Sequence, residues 1–335
     1  MAALQRLSEE LEGELFFDET MRKLYATDAS AYREMPLAVA MPVSNKDIKK
    51  LILFAKENKT SLIPRTAGTS LAGQVVGSGI VVDVSKHFNK IVEINKEESW
   101  ARVQPGVIRD ELNHHLKSEG LYFGPETSTA NRAMIGGMVG NNSCGSNSIV
   151  YGSAREHLIS VKAILSDGSE TEFKALSIEE FEDKCNGINV SGQLEQYIYQ
   201  GIREMLSNPQ NRKLVADTFP KPDIPRRNTG YALDLLMDSG VFNGSDIPFN
   251  FCKLIAGSEG TLAFITEIKV NCVAPPPKSQ LLVCAHFEDL YQSLEANLIA
   301  LKYNPLAVEL MDHYVLECTK TNIEQSKNRF FVQGD

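Results

Sequence analysis

A chain of 335 residues with a formal net charge of −9 is long enough to bury roughly 75% of its unfolded surface, in one large or two ordinary domains. Its 43% hydrophobic and 23% charged residues, with 14 prolines and no low-complexity tract, exclude a disordered chain. The negative charge and the scatter of Lys and Arg exclude a polyphosphate backbone as partner, so no nucleic acid is expected and an anionic ligand would need a local site.

Residues 1–34 are expected to form a helical extension on the outside, with Leu4, Leu7 and Leu11 on one face. This segment is too polar for a signal-peptide core, and no apolar run approaches the roughly 20 residues of a membrane span. A cytoplasmic protein is expected, with peripheral membrane attachment of a full-length protein left open. From Pro36, PLAVAMP predicts a strand, and Ser44 with Asp47 is a capping-box signature opening a helix. Ile48, Leu51, Ile52 and Ala55 recur at helical spacing, so that helix buries one face. SLIP predicts a second strand that runs into the Gly-rich RTAGTSLAGQVVGSG, and GIVVDVS predicts a third. This β-α-β-loop-β order indicates a small α/β unit with its loop at a strand end.

KIVEINKEESWARVQPG predicts a β-hairpin, followed by a helix marked by Ile108, Leu112 and Leu116 that ends near Gly120. GPETSTANRAMIGGMVGNNSCGSNS then shows almost no strand or helix pattern, and a loop that long inside a compact domain is usually functional. ISVKAILSDGSETEF predicts a second hairpin turning at Asp167-Gly168. Residues 175–217 read as mostly helical, FPKPDIPRRNTGYALDLL as a connector into a helix, and LIAGSEGTLAFITEIKVNCV as two closing strands. The run Pro275-Pro276-Pro277 marks a boundary. After it come LLVCAHF, a helix around Leu290 to Tyr303, and AVELMD, the incomplete start of a further domain over 276–335.

Three kinds of site compete for the loop Pro64 to Gly73. A dinucleotide fingerprint needs G-x-G-x-x-G between a strand and a helix, but Gly68, Gly73, Gly77 and Gly79 run into another strand. A Walker A loop needs Lys after its second glycine, where Gln74 stands. What remains is a Gly-rich turn whose amides, with Arg65, Thr66, Thr69 and Ser70, suit a pyrophosphate, or else a plain connection. Residues 124–148 supply a second such loop. There Gly136 and Gly137 allow close backbone approach, and Asn141, Asn142 and Ser143 offer neutral donors and acceptors, so one long ligand spanning both loops is expected.

PRTAGTSLAG, IGGMVGNNSCG, YGSAREHLISVKAILSDG and GSEGTLAFITEIKV, in this order, resemble the FAD-binding domain of the vanillyl-alcohol-oxidase and p-cresol-methylhydroxylase superfamily. Within it they are most similar to the D-lactate dehydrogenase, glycolate oxidase and D-2-hydroxyglutarate dehydrogenase branch, whose RNTGY-type segment is matched by Arg227 to Tyr231. The resemblance implies an α+β fold. A two-subdomain FAD-binding unit over 35–275, small α/β about 35–90 and larger α+β about 91–275, is followed by the start of an α+β substrate or cap domain.

Non-covalent FAD is the implied cofactor, because Thr69 stands where relatives with a histidyl link carry the bonding histidine. The residues implied to hold it are Pro64, Arg65, Thr66, Ala67, Gly68, Thr69, Ser70 and Leu71 in the first loop. Pro125, Thr127, Ile135, Gly136, Gly137, Asn141, Asn142, Ser143 and Gly145 belong to the second. Ile159 and Val161 are implied at the adenine end, with Glu259, Gly260 and Ile265 close by. The implied reaction moves a hydride from the hydroxyl-bearing carbon of a 2-hydroxy acid to the flavin, with electrons passing to a quinone, a cytochrome, or an iron–sulfur domain or subunit. An electron-relay module holding FAD without its own substrate, and a sugar or alcohol oxidase of the same fold, are the alternatives.

Arg226 and Arg227 could clamp a substrate carboxylate, with Thr229 and Tyr231 adding hydroxyl bonds and Lys253 a further cation, or they could be a solvated pair before a helix. His114 and His115 are adjacent and point to different faces, while His87, His157, His286 and His313 are isolated, so no metal is expected among these residues. The six cysteines, Cys144, Cys185, Cys252, Cys272, Cys284 and Cys318, contain no C-x-x-C pair and read as reduced, mostly buried thiols. Trp100 reads as a core residue. The catalytic base and any metal site are expected beyond Asp335, which would leave this chain poorly active by itself.

Overall fold

The computed structural model describes residues 2–224, 226–227 and 229–333. The smaller lobe is built from Ala2–Glu10 (α1), Glu14–Phe16 (β1), Glu19–Leu24 (α2), Ala38–Met41 (β2), Asn45–Glu57 (α3), Leu62–Arg65 (β3) and Ile80–Asp83 (β4). Its four strands lie in the order β1-β2-β4-β3, with β2, β4 and β3 parallel and β1 antiparallel at the edge. The central strand β4, IVVD, is buried along its whole length, as an unbroken apolar run in a parallel sheet should be.

The N-terminal segment holds the helices α1 and α2 and also supplies the edge strand β1. Leu4, Leu7, Leu11 and Leu15 are buried with Ile48, Leu51 and Ile52 of α3, and β1 extends the sheet. A stripe of four leucines is too apolar to leave in water, and the sheet offers it a face. Ser44 does cap α3 by accepting from the Asp47 amide. Asp47 does not return the bond as a capping box would; its buried carboxylate accepts from the amides of Glu12, Gly13 and Val43, tying the α1–β1 turn to α3.

The larger lobe begins with the hairpin Ile91–Asn95 (β5) and Trp100–Val103 (β6), then Arg109–Leu116 (α4), Ile135–Asn141 (α5), Ser148–Tyr151 (α6) and Ala154–His157 (α7). Leu158–Ile164 (β7) and Glu170–Phe173 (β8) form the second hairpin, followed by Ile178–Cys185 (α8), Gln193–Ser207 (α9), Pro209–Thr218 (α10), Leu233–Met237 (α11), Gly240–Asn243 (α12), Cys252–Ile255 (α13) and Phe264–Asn271 (β9). The five strands make one antiparallel sheet in the order β5-β6-β9-β7-β8. Ile164 and Phe264, at adjoining ends of β7 and β9, reach into the smaller lobe's core and join the two lobes.

Two expectations differ from this fold. The segment from Leu254 supplies one strand, not two: Leu254 and Ile255 close α13, and Gly257, with φ at +86°, turns the chain before β9 starts. The Gly-rich stretch 124–148 contains the helix α5 despite three glycines, because Gly136 and Gly137 press its backbone against Pro105 and Thr66. Past Val273 come Leu290–Ala300 (α14) and His313–Lys320 (α15), while LLVCAHF and AVELMD form neither helix nor strand. No described residue after Cys272 is buried. Cys185, Cys252 and Cys272 are buried, Cys144 is half-buried, and Cys284 and Cys318 are exposed.

Candidate functional site

The loop that follows β3 is shaped by Arg65 and Gly68. Gly68 has φ at +66°, and a Cβ there would lie 2.6 Å from the Arg65 guanidinium, so a side chain is excluded on both counts. Arg65 donates to the Thr27 carbonyl at 2.8 Å and stacks over the Tyr25 ring. The Ala29 amide donates to the Gly68 carbonyl, and the Tyr25 hydroxyl donates to Asp83 at 2.6 Å. Burial and the Asp83 carboxylate push that phenol above its ordinary range. The loop is thus strapped to residues 25–29 and left open on its other side. Among the described residues, the amides of Ala67 to Leu71 find no acceptor in the protein.

The facing wall comes from the larger lobe. At the start of α5 the Gly136 amide is taken by the Pro105 carbonyl, and Gly137 packs so closely that a Cβ would meet the Thr66 hydroxyl at 2.6 Å. Glu259, in the left-handed region with φ at 54°, donates its amide to Gly140 and accepts from the Gln74 side chain across the lobes. These walls enclose a cleft of about 800 Å³ between the lobes.

Pro64, Arg65, Thr66, Ala67, Gly68, Thr69, Ser70, Leu71, Thr127, Gly136, Gly137, Asn141, Ser143, Glu259, Gly260 and Ile265 all line this cleft. Pro125, Ile135, Gly145, Ile159 and Val161 lie elsewhere. Ile135 and Val161 are in the core, the Pro125 carbonyl accepts from Arg109, the Ile159 carbonyl accepts from Asn250, and Gly145 packs on Glu126. Sequence reasoning missed Thr27, Asp28 and Ala29, Pro105, Arg132 and Cys144, which also line it. Asp28 accepts from the Ser30 amide through Oδ1, while its buried Oδ2 has no partner among the described residues. Nothing in TDASAY sets it apart from an ordinary polar connector.

A smaller recess of about 370 Å³ adjoins the cleft and shares Asn141, Cys144 and Glu259 with it. Asn142, Arg226, Thr229, Gly230 and Gly257 complete its wall. Arg155 holds that wall in place: buried, it donates from one Nη2 to the carbonyls of Thr229 at 3.0 Å, Gly230 at 2.7 Å and Ala256 at 2.6 Å. Of the expected substrate residues, Arg226 and Thr229 line the recess. Arg227 is paired with Asp234, the Tyr231 hydroxyl meets Thr261, and Lys253 donates to the Arg155 carbonyl without lining either cavity. Burial pulls the Lys253 ammonium below its ordinary range. His157 is buried with its two ring nitrogens facing the carbonyls of Asn271 and Tyr151. Trp100 is buried beneath Lys269 in the β-sheet, away from the cleft. Among the described residues no three His, Cys, Asp or Glu side chains gather as a metal site would need, and no helix is long and apolar enough to cross a membrane.

Residues 36–174 match a family described as FAD binding domain. The chain is 37% identical, over 94% of its length, to the D-2-hydroxyglutarate dehydrogenase of Escherichia coli strain K12, of which it covers 30%. It is 25% identical to the glycolate oxidase subunit GlcD of Bacillus subtilis strain 168, over 88% of this chain and 50% of that protein. Among solved structures, an alkyldihydroxyacetonephosphate synthase superposes with a TM-score of 0.54 at 18% identity, over 82% of this chain and 40% of that one, which shows a shared fold. The chain spans about 30% of the length of the D-2-hydroxyglutarate dehydrogenase it matches. Among the described residues, open amides at Ala67 to Leu71 and an unpartnered acceptor at Asp28, in one cleft, offer both the donors a diphosphate needs and an acceptor for a hydroxyl or amino group. Three of the four sequence motifs are thus folded around the interlobe cleft, and the first two fall within the residues that match the FAD binding domain, with FAD as the cofactor.

Proposed function

We propose that this chain holds FAD in the interlobe cleft and presents it to a 2-hydroxy acid of the D-2-hydroxyglutarate, D-lactate or glycolate type. The observation that carries the reading is the recess: a polar pocket containing the exposed guanidinium of Arg226 opens beside the cleft and shares a wall with it. When bound, FAD supplies a hydride-accepting centre that no amino-acid side chain provides. The chain's own residues bind and orient. The amides of Ala67 to Leu71 and the hydroxyls of Thr66, Thr69 and Ser70 would hold the diphosphate, each charge-assisted bond contributing about 1.5–3 kcal/mol.

Arg226 would take the substrate carboxylate with its planar fork, and Thr229 would add a hydroxyl. Arg227 has a structural duty instead, since Asp234 already neutralises it. Among the described residues no histidine lines cleft or recess. This part of the protein therefore contributes cofactor and carboxylate binding to the reaction. Turnover further requires a second redox centre, of the quinone, cytochrome or iron–sulfur class, to receive the electrons.

The test begins with addition of FAD to the folded chain, followed by anaerobic titration with D-2-hydroxyglutarate, D-lactate and glycolate while flavin absorbance is followed. Arg226→Gln should weaken binding of the reactive acid by about 10–100-fold, the size of a lost charge-assisted pair. Failure of the folded chain to bind FAD, or unchanged hydroxy-acid affinity in Arg226→Gln, would sink the reading.

A further inference from the structure

We propose that Cys144 is a built-in competitor for the carboxylate clamp, so that its thiol sets how tightly the recess takes an anionic substrate; the inference rests on the reading of Arg226 given above. Arg226 directs Nε and Nη2 together at the Cys144 sulfur, at 3.2 and 3.0 Å. Those two N–H groups form one of the forks with which a guanidinium grips a carboxylate. The fork is therefore already engaged, and by a weak acceptor. Cys144 stands on the wall shared by cleft and recess, so the contact lies where a ligand would enter.

An independent observation shows a donor in the recess that lacks an acceptor. Asn142 lines it, is only 4% exposed and sits in the left-handed region with φ at 52°. Its Oδ1 accepts from the Ser153 hydroxyl at 2.7 Å and the Arg155 amide at 2.9 Å, which fixes the amide's orientation. Its Nδ2 then has no acceptor among the described residues. A buried donor left unmet costs about 1–3 kcal/mol, and a carboxylate seated in the recess has oxygens for both Asn142 and Arg226. A thiol can serve only one of them, and poorly. Among the described residues Arg226 is the one guanidinium lining the recess; nearby, Arg227 is held by Asp234 and Arg155 by three carbonyls. The Glu259 carboxylate on the same wall opposes a second negative charge, so the recess suits one carboxylate group. Binding then exchanges two N–H···S contacts for N–H···O bonds, with no covalent change.

The measurement is the affinity of the FAD-loaded chain for pyruvate, a 2-oxo acid that cannot reduce flavin, read as a shift in the flavin spectrum. Cys144→Ala should tighten pyruvate about fivefold, the size of one net hydrogen bond, and the gain should vanish in an Arg226→Gln background. Unchanged affinity in Cys144→Ala, or a gain that survives Arg226→Gln, overturns the competition while leaving the clamp intact. Pyruvate binding that ignores Arg226→Gln altogether overturns the clamp itself. A second readout needs no change at Cys144. In the Cys284→Ser, Cys318→Ser chain, which removes the two exposed thiols, pyruvate should slow iodoacetamide alkylation of Cys144 and lose that effect in Arg226→Gln. Equal alkylation rates with and without saturating pyruvate would overturn the proposal by a separate route.

Discussion

At Arg155 one guanidinium, 2% exposed, gathers the carbonyls of Thr229, Gly230 and Ala256 onto a single nitrogen. Burial lowers its pKa, and the neighbouring Glu156 and Asp234 carboxylates act in the opposite direction. Arg155→Met would leave those carbonyls without a donor, so we expect about 3 kcal/mol of destabilisation by urea unfolding. Because they form the recess and not the loop after β3, pyruvate affinity should fall about tenfold while FAD affinity changes less than about threefold, the loss reflecting unmet carbonyl acceptors. Equal losses of both would mean that Arg155 supports the fold generally.

Gly136 makes a different demand. A Cβ there would lie 2.4 Å from the Pro105 side chain, and the amide of Gly136 is bonded to the Pro105 carbonyl. Gly136→Ala must push α5 away from Pro105, at about 1–3 kcal/mol in calorimetry, and weaken FAD binding through the displaced wall. Both glycines were legible in the sequence as places of close approach. What they approach was not, since a glycine admits protein or ligand alike: here Pro105 and Thr66 take the space. Asp28 was illegible for the opposite reason, because only folding brings residues 25–29 onto the first loop.

Strands and hairpins were readable because their signals are local. The alternation in β9 and the turn at Gly168, with φ at +86°, need no distant partner to be recognised. Elements whose existence depends on what they touch were not readable. In α5 three glycines argue against a helix, and its packing on Pro105 and Thr66 overrides that propensity. Leu254-Ile255 is too short an apolar run to distinguish helix from strand. Residues 14–16 gave no strand pattern, yet β2 offers them an open edge.

The α8–α9 pair carries an element-scale prediction. Glu195 is buried at the start of α9 and accepts from Lys184 of α8 at 2.8 Å and from the Ser191 amide at 2.6 Å. Burial alone would raise its carboxyl, but these hydrogen bonds outweigh that and hold it below the usual glutamate range. A carboxyl depressed in the folded state adds stability above its unfolded value of about 4.3, and that stability is lost as pH falls through the folded value. Glu195→Gln should cost about 2 kcal/mol at pH 7, since it leaves Lys184 unpaired, and should flatten the loss of stability below about pH 4.3. An unchanged acid limb in urea unfolding would show that Glu195 does not contribute it.

On the scale of the whole molecule, two cores meet where Ile164 and Phe264 enter the smaller lobe, and every wall of the cleft is assembled before Cys272. Burial stops there, just before the Pro275 to Pro277 run. Beyond it, Leu281 at 89%, Leu282 at 83% and Phe330 at 90% exposure present apolar side chains to water, so this segment adds little hydrophobic stabilisation to either core. A chain ended after residue 275 keeps the Tyr122–Val273 bridge that closes the larger lobe. It should therefore melt at the same temperature as the 335-residue chain and bind FAD with unchanged affinity, while losing dye binding to exposed apolar surface. A shortened chain that fails to bind FAD, or melts markedly lower, would show that residues 276–333 help hold the cleft together despite their exposure.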